Sequence, residues 1–142
     1  MPFKLSEVNF AAVFVAGLVA FLVGAVWYTA LFGKLWVRLQ AYSDERMAAM
    51  KARRPMPVFL GIMFVAYLVL AFAIALLLTG IPERNAMTGA VVGAILWLGP
   101  AAAIGLTGHI ATDKADGLYL IDVGCELVYL VLMGLILGAW HA

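Results

Sequence analysis

Four apolar stretches constrain the fold of this chain more than any other feature. They cover about residues 10–31, 57–79, 87–107 and 118–140; the first three contain no charged residue, and the fourth contains two acids. About 20 residues at a rise of about 1.5 Å each match the bilayer hydrocarbon core, which is about 30 Å thick. Because lipid offers the backbone no hydrogen-bond partners, each stretch must be a helix. The sequence therefore predicts an all-α integral membrane protein, with four transmembrane helices in a compact bundle forming one domain over residues 1–142.

Composition supports this class and excludes others. Hydrophobic residues make up 66% of the chain, against roughly 45–50% apolar residues in soluble domains. The net charge is only +1, and the cations are gathered in one loop, so nothing favours binding to nucleic acid. The single cysteine, Cys125, lies in the fourth stretch, which leaves no intrachain disulfide to expect. We expect the lipid bilayer to be the main partner of the surface.

The longest segment outside the four stretches is a basic loop at residues 31–57. Residues 32–55 are expected to be helical: an amphipathic part lies along the interface, and a second part begins at the N-cap Ser43 and stops at Pro55. The cations either contact anionic lipid or a partner, or serve only as a topology signal. The apolar side of the first part holds Leu31, Leu35, Trp36 and Leu39, and the cations are Lys34, Arg38, Arg46, Lys51, Arg53 and Arg54.

The distribution of cations also predicts an orientation. The basic loop and the loop after the third stretch together carry seven Lys and Arg residues, whereas only Lys4 and Arg84 lie on the other side. By the positive-inside rule we expect both loops to be cytoplasmic and both termini to lie outside, in a bacterial inner membrane.

Small residues recur at helical spacing in the spans. In lipid such small-xxx-small patterns allow close backbone contact between helices, in the same chain or in another. Four short helices enclose little interior, so we favour a homo-oligomer, most simply a dimer, or a subunit of a larger membrane complex. Gly99 and Pro100 are expected to kink the third helix, either for packing or to open a polar cavity. The candidate packing residues are Gly17, Ala20, Gly24, Gly89, Gly93, Gly124, Gly134 and Gly138.

The acids of the fourth stretch share one helical face with two tyrosines, Tyr119 and Tyr129, opposite Gly117, Gly124 and Gly138. Counted from the predicted helix start at Leu118, Asp122 lies about 6 Å deep and Glu126 about 12 Å deep. A charge near the centre of a span costs about 2.5–3.5 kcal/mol, so Glu126 should face protein or water. We expect the pair to hold at least one proton near neutral pH, because its members repel and burial disfavours ionisation.

Two functions compete for this polar face, and a third is disfavoured. The acids and tyrosines can form interhelical hydrogen bonds, which makes the protein a structural or assembly component; this interpretation is favoured. Alternatively, Asp122 and Glu126 can serve a proton or small-cation channel or transporter. We do not expect an enzyme, because no nucleophile and base are paired, and we expect no cofactor.

A metal site is also disfavoured. His109 and Asp113, with the nearby Asp116, have side chains that could bind a metal. A closed site needs about four ligands, and this loop supplies too few. An ordinary polar loop with Asp and Gly turn chemistry is therefore the preferred interpretation.

Several segments resemble the bacterial membrane proteins catalogued as domain of unknown function 1761. They are "VNF" from Val8, "GAVWYTALFGKLW" from Gly24, and "YLIDVG" with "LMGLILGAW" near the C-terminus. The resemblance covers essentially the whole chain and implies a compact four-helix membrane protein, without implying a substrate or a reaction. The aromatic residues that carry it are Trp27, Tyr28, Phe32, Trp36 and Trp140.

This sequence departs from the family pattern at its two acids. The resemblance implies Asn and His at the positions of Asp122 and Glu126, so a polar interior face is a property of the fold, whereas two carboxylates are not. Trp27 and Tyr28 would lie at the depth where the fourth helix begins. We expect these two helix ends to pack together, or alternatively the aromatics to form a belt at the headgroups.

Overall fold

Residues 2–141, the part of the chain that the computed structural model describes, form seven α-helices. Two π-helical turns, Trp27–Leu31 and Trp97–Ala103, extend α1 and join α5 to α6. Four helical segments are long and apolar enough to cross a membrane, and they confirm the predicted fold class. The helices are α1 Phe10–Val26, α2 Gly33–Gln40, α3 Asp44–Arg53, α4 Met56–Thr79, α5 Ala86–Leu96, α6 Ile104–Thr112 and α7 Asp116–Ala139. The first to fourth spans are Phe10–Leu31, Met56–Thr79, Ala86–Thr112 and Asp116–Ala139.

Local sequence explains where several helices begin. The Asn9 side chain caps α1 by accepting a hydrogen bond from the Ala12 amide at 3.1 Å. Ser43 caps α3 and Asn85 caps α5 in the same way, at 3.1 Å and 3.0 Å. Each cap satisfies an amide that the helix itself leaves unpaired. Pro55 precedes α4, where its missing amide is of no consequence.

The third span is longer than the sequence predicted. It was expected to end near residue 107, but helix continues to Thr112. The polar side chains of His109 and Thr112 lower the hydropathy there without breaking the helix, and the Thr112 hydroxyl bonds back to the Gly108 carbonyl at 3.0 Å. The connection to the fourth span is therefore only residues 113–115.

The fourth span is the central helix, because α7 packs against α1, α4 and α5. The contact between α5 and α7 is the closest: a Cβ atom placed at Gly89 would overlap the Gly134 carbonyl, and one at Gly93 would overlap the Leu130 carbonyl. Such contact excludes any side chain between the two backbones. The first and second spans meet through Gly17, which lies under Leu68.

The two ends of the bundle differ in packing. We call α5 with residues 130–139 of α7 the terminal half, since the first and last described residues lie at that end, and residues 27–62 with residues 97–126 the loop half. Beside the terminal half, α1, α4 and α7 enclose the core. In the loop half, the third span is exposed from Ala103 to Thr112 except for His109, and residues 51–62 of α3 and α4 are exposed on every side. The core includes Ala12, Ala16, Ala20, Ala71, Ile74, Leu78, Met133 and Leu137.

Candidate functional site

A cleft of about 240 Å³ opens beside α7 in the loop half. It lies between the exposed end of the third span and the polar face of the fourth, and it includes both acids. Its mouth is formed by the end of α2 and by the connection between the third and fourth spans. The lining residues are Gln40, Gly105, His109, Thr112, Lys114, Leu118, Tyr119, Asp122, Val123 and Glu126.

The cleft follows from a change in helix geometry at Pro100. Proline has no amide to donate and its ring displaces the preceding turn, and here the backbone adopts the π-helical turn Trp97–Ala103. Before this turn the glycines hold α5 against α7, and after it α6 makes few contacts with α7. The Tyr119 hydroxyl bridges the remaining gap by donating to the Ala102 carbonyl at 2.7 Å. The π-helical turn lies where the sequence predicted a kink, and the cleft opens beyond it.

Asp122 is held by the first span. The Tyr28 hydroxyl donates to its Oδ1 atom at 2.5 Å. Indole N–H groups donate to the backbone carbonyls on either side of Asp122: Trp27 to Ile121 at 2.9 Å and Trp97 to Val123 at 2.7 Å. The end of the first span therefore packs on the start of the fourth, as the sequence analysis expected.

Glu126 lies one helical turn deeper than Asp122 and differs from it in its partners. Within residues 2–141 no side chain donates a hydrogen bond to the Glu126 carboxyl group, which is half-buried and faces the cleft. It is ten residues beyond the start of α7, or about 15 Å along the helix. Tyr67 and Tyr129 lie close enough to interact with it electrostatically, and their rings meet edge to face at 5.2 Å. Glu126 is thus a carboxyl group near the middle of the fourth span that borders an open volume.

Packed side chains close the cleft on its inner side. Beyond Glu126 on α7, Leu130 is 3% exposed and Met133 is fully buried, and Ile74 of α4 is also fully buried. Near the termini, a small cavity of about 10 Å³ is bordered by Glu7, among other residues. That volume holds about one water molecule at most. The cleft therefore opens toward the loop end of the bundle.

The mouth of the cleft is tied to α2 by Lys114. Its Nζ atom donates to the Gln40 side-chain oxygen and to the Tyr42 hydroxyl, both at 3.2 Å, and lies 5.4 Å from the centre of the Tyr42 ring. His109, inside the mouth, contacts Asp116 at 3.0 Å, and its ring lies 5.4 Å from the Tyr119 ring at an angle of 35°. These contacts fix the loop that borders the opening.

The other residues singled out in the sequence lie at helix contacts or at the surface. Tyr129 is not among the cleft residues and instead packs on Tyr67. Phe32 packs on the Trp27 ring at 4.9 Å. Trp140 is exposed at the terminal end. The candidate packing residues lie at contacts within this chain: Gly17 and Gly24 face α4, Ala20 is buried, Gly89 and Gly93 face Gly134, Gly138 and Leu130, and Gly124 faces the Trp27 ring.

The weak metal candidates do not form a larger cluster. Asp113 occupies a left-handed conformation at φ 49°, at the end of α6, and is not part of the contact between His109 and Asp116. Among residues 2–141, no three His, Cys, Asp or Glu side chains converge as metal ligands would.

Several residues of the site were missed in the sequence, among them Trp97, Gln40, Thr112 and Lys114. Trp97 is the first residue of the π-helical turn, and a tryptophan shortly before a glycine and a proline inside a span is a signal that was available. Gln40, Thr112 and Lys114 lie outside the predicted spans and reach the cleft only through the fold.

Fold and site together define a multi-pass α-helical membrane protein with a polar cleft that opens at one end. The chain belongs to the family described as "Protein of unknown function (DUF1761)", which matches residues 11–138 and confirms the resemblance seen in the sequence. No curated protein and no solved structure shows a significant match to it.

Proposed function

We propose that this protein takes up a proton or a small cation through the cleft, with Glu126 as the innermost binding group. The observation that carries the proposal is that the Glu126 carboxyl group, near the middle of the fourth span, faces an open volume without a hydrogen-bond donor from the described chain. A carboxylate in such a place favours a proton or cation as its partner, because a bare charge inside the membrane is costly. No enzymatic step is part of the proposal.

Asp122 has a different role in this proposal. Its bond to Tyr28 fixes its position between the cleft mouth and Glu126. A carboxyl group at that depth can pass a proton inward or lower the electrostatic barrier for a cation. Because buried side chains follow Glu126 on the inner side, release to the far side of the membrane requires a conformational change, as in a transporter and unlike an open channel.

Glu126→Gln tests the proposal in proteoliposomes. The carboxamide keeps the shape of the side chain but cannot release a proton or carry a negative charge, so pH-driven flux should be abolished while the protein still folds. Asp122→Asn should lower the flux without abolishing it. Glu83→Gln, in an exposed turn at the terminal end, is the matched control and should leave flux unchanged. Absence of flux in the unmutated protein would contradict the transport proposal.

The cleft would open to the cytoplasm in the orientation that we propose. The loops at the cleft end carry seven of the nine Lys and Arg residues, which supports a cytoplasmic loop end and external termini in an inner membrane. Membrane-impermeant thiol reagents provide the test on intact cells. A cysteine replacing Ser6 should react, and one replacing Ala48 should react only after the cells are permeabilised; the reverse pattern would invert the orientation.

Assembly with a second copy is the other candidate function, and the surface of the loop half supports it. Gly99 and Gly108 have nothing within 4 Å of a Cβ atom placed on them, and the segment between them is mostly exposed. Small exposed residues in a span allow close approach of another helix. A dimer that buries this segment would give the protein a structural role even if it carries no ion.

Gly108→Leu tests this second candidate. A bulky side chain on the proposed contact should shift a dimer toward monomer in light-scattering measurements in detergent. Gly61→Leu is the matched control, since Gly61 is equally open but lies in the second span. A monomeric unmutated protein would contradict a dimer.

A further inference from the structure

The basic loop forms two helices that present their cations to solvent. The cations of α2 and α3 are exposed, and no ion pair joins any of them to an acid within residues 2–141. Only two acids, Asp44 and Glu45, lie in the same loop. The cations are Lys34, Arg38, Arg46, Lys51, Arg53 and Arg54. A surface with six cations and two acids is complementary to an anionic partner.

Helix α2 is docked on the bundle, but α3 is not. The Leu39 side chain of α2 packs on Gly117 at the start of α7, and Trp36 packs edge-on against Tyr28 at 5.9 Å. In contrast, α3 has no extensive contact with any other helix of the described chain. Ten residues of helix without tertiary support are marginal in water. Helix α3 therefore needs a partner that the other described residues do not provide.

The sequence of α3 indicates what that partner is. At 100° per residue, Met47 and Met50 form a narrow apolar stripe, and Arg46 and Lys51 flank it at about 70° on either side. Glu45 lies on the opposite face. An apolar stripe flanked by basic side chains is the pattern of a helix that lies in a membrane interface, with cations at the headgroups.

The connections of α3 keep it close to the bilayer. Only residues 54 and 55 separate its end from the second span, which begins at Met56. The three extended steps from Arg53 to Met56 reach at most about 11 Å, which is close to the screening length of about 8–10 Å near physiological ionic strength. The cations at the end of α3 thus lie within electrostatic range of lipid headgroups.

We propose that α3, together with the exposed cations of α2, is a docking surface for anionic lipid headgroups, with the Met47 and Met50 stripe turned into the interface. The surface is independent of the proposed role of Glu126. If the cations served only as a topology signal, their positive charge would be sufficient. Neither a defined face of α3 nor contact with headgroups would then be required.

Two spin labels on opposite faces of α3 test the proposal in the full-length protein. Met50→Cys places a label on the apolar stripe, and Ala52→Cys places one on the far side, each combined with Cys125→Ala. In phosphatidylglycerol vesicles, the label at position 50 should be shielded from an aqueous nickel chelate and accessible to oxygen, whereas the label at position 52 should be accessible to the chelate. In phosphatidylcholine vesicles the difference should largely disappear.

Charge neutralisation provides the second measurement. Each cation near an anionic surface strengthens binding about fivefold. Arg46→Gln combined with Lys51→Gln should therefore lower the equilibrium constant for docking of α3 on the headgroups about 25-fold, measured by the shielding of the label at position 50. The matched control, Asp44→Asn combined with Glu45→Gln in the same helix, should preserve or strengthen it. Equal chelate accessibility of the two labels in phosphatidylglycerol would overturn the proposal. Shielding of position 50 that persists in phosphatidylcholine would also overturn it, by indicating a protein partner.

Discussion

The third and fourth spans meet in two different ways along their length. In the terminal half, glycine positions bring the backbones together so closely that no side chain fits between them. In the loop half, beyond Pro100, the same two spans separate, and a cleft lined by polar side chains lies between them. One helix pair thus combines a closed contact with an open site.

This difference shows how a small membrane protein can keep a polar site without losing its fold. Lipid tails are as apolar as leucine, so close packing, and not exclusion from water, holds helices together in a bilayer. The glycine contact supplies that packing in one half. The other half is then free to expose carboxyl groups to a cleft, where they avoid the cost of facing lipid.

Gly89→Ala should have the largest effect, because it breaks the closed half. The added methyl group would overlap the Gly134 carbonyl and lie 3.1 Å from the Gly138 Cα atom, so the two backbones must move apart. Overpacking that moves the backbone should lower the free energy of unfolding in detergent by about 3 kcal/mol. The measurement is equilibrium unfolding in mixed micelles.

Gly108→Ala is the matched control for that variant. It lies in the loop half of the same span, where nothing is within 4 Å of the new Cβ atom. Replacing glycine in a helix gains up to about 1 kcal/mol, so stability should stay equal or rise. An equal loss in both variants would contradict the distinction between the two halves.

Tyr28→Phe should have the next largest effect, because it removes the hydrogen bond that holds Asp122. Loss of a hydrogen bond to a carboxyl group should lower the free energy of unfolding by about 1.5 kcal/mol. A double-mutant cycle with Asp122→Asn isolates the interaction between the two side chains. A coupling energy near zero would show that the bond does not stabilise the loop half.

Replacing a tryptophan of the loop half should change stability less than the variants above, and three such replacements can be compared directly. Trp27 and Trp97 donate indole hydrogen bonds to α7, whereas the buried Nε1 atom of Trp36 has no acceptor among the described residues. Trp27→Phe and Trp97→Phe should therefore each cost about 1 kcal/mol more than Trp36→Phe. Thermal unfolding of the three variants measures the difference. The same cost in all three would mean that packing, and not hydrogen bonding, joins these rings to α7.

The sequence was sufficient for the spans but not for their contacts. Hydropathy located all four helices, and it missed the end of the third only where His109 and Thr112 continue the helix with polar side chains. Glycine spacing marked positions able to pack closely. It did not say that Gly89 meets Gly134, because one helix pattern contains no information about the partner helix.

The candidate site could likewise be predicted only in part from the sequence. The position of Glu126 in a span required protein or water beside it, and the break at Pro100 was visible in the sequence. Whether protein or water borders Glu126 depends on the direction of the third span after Pro100. That direction follows from the π-helical turn and from the hydrogen bond between Tyr119 and the Ala102 carbonyl. Three-dimensional packing, and not residue type, decides whether protein or water lies beside Glu126.

The smallest effect is expected at ion pairs at the terminal end. Glu7 contacts Lys4 at 2.9 Å and Arg84 at 3.4 Å. The hydrogen bond from Lys4, assisted by the positive charges of both partners, lowers the pKa of Glu7 below its ordinary value. The folded state then binds the Glu7 proton less readily than the unfolded state. The stabilisation is complete above the ordinary pKa and is lost as pH falls through the lowered one.

Glu7→Gln should therefore reduce stability slightly at neutral pH and not at all in strong acid, and added salt should shrink the difference, because this contact is at the surface. Melting temperatures in detergent between about pH 3 and about pH 7 measure it, with the exposed Glu83→Gln as control. If the unmutated protein and Glu7→Gln lose stability in acid to the same extent, the acid sensitivity arises elsewhere. The contact of Glu7 with Lys4 and Arg84 would then contribute nothing measurable to stability.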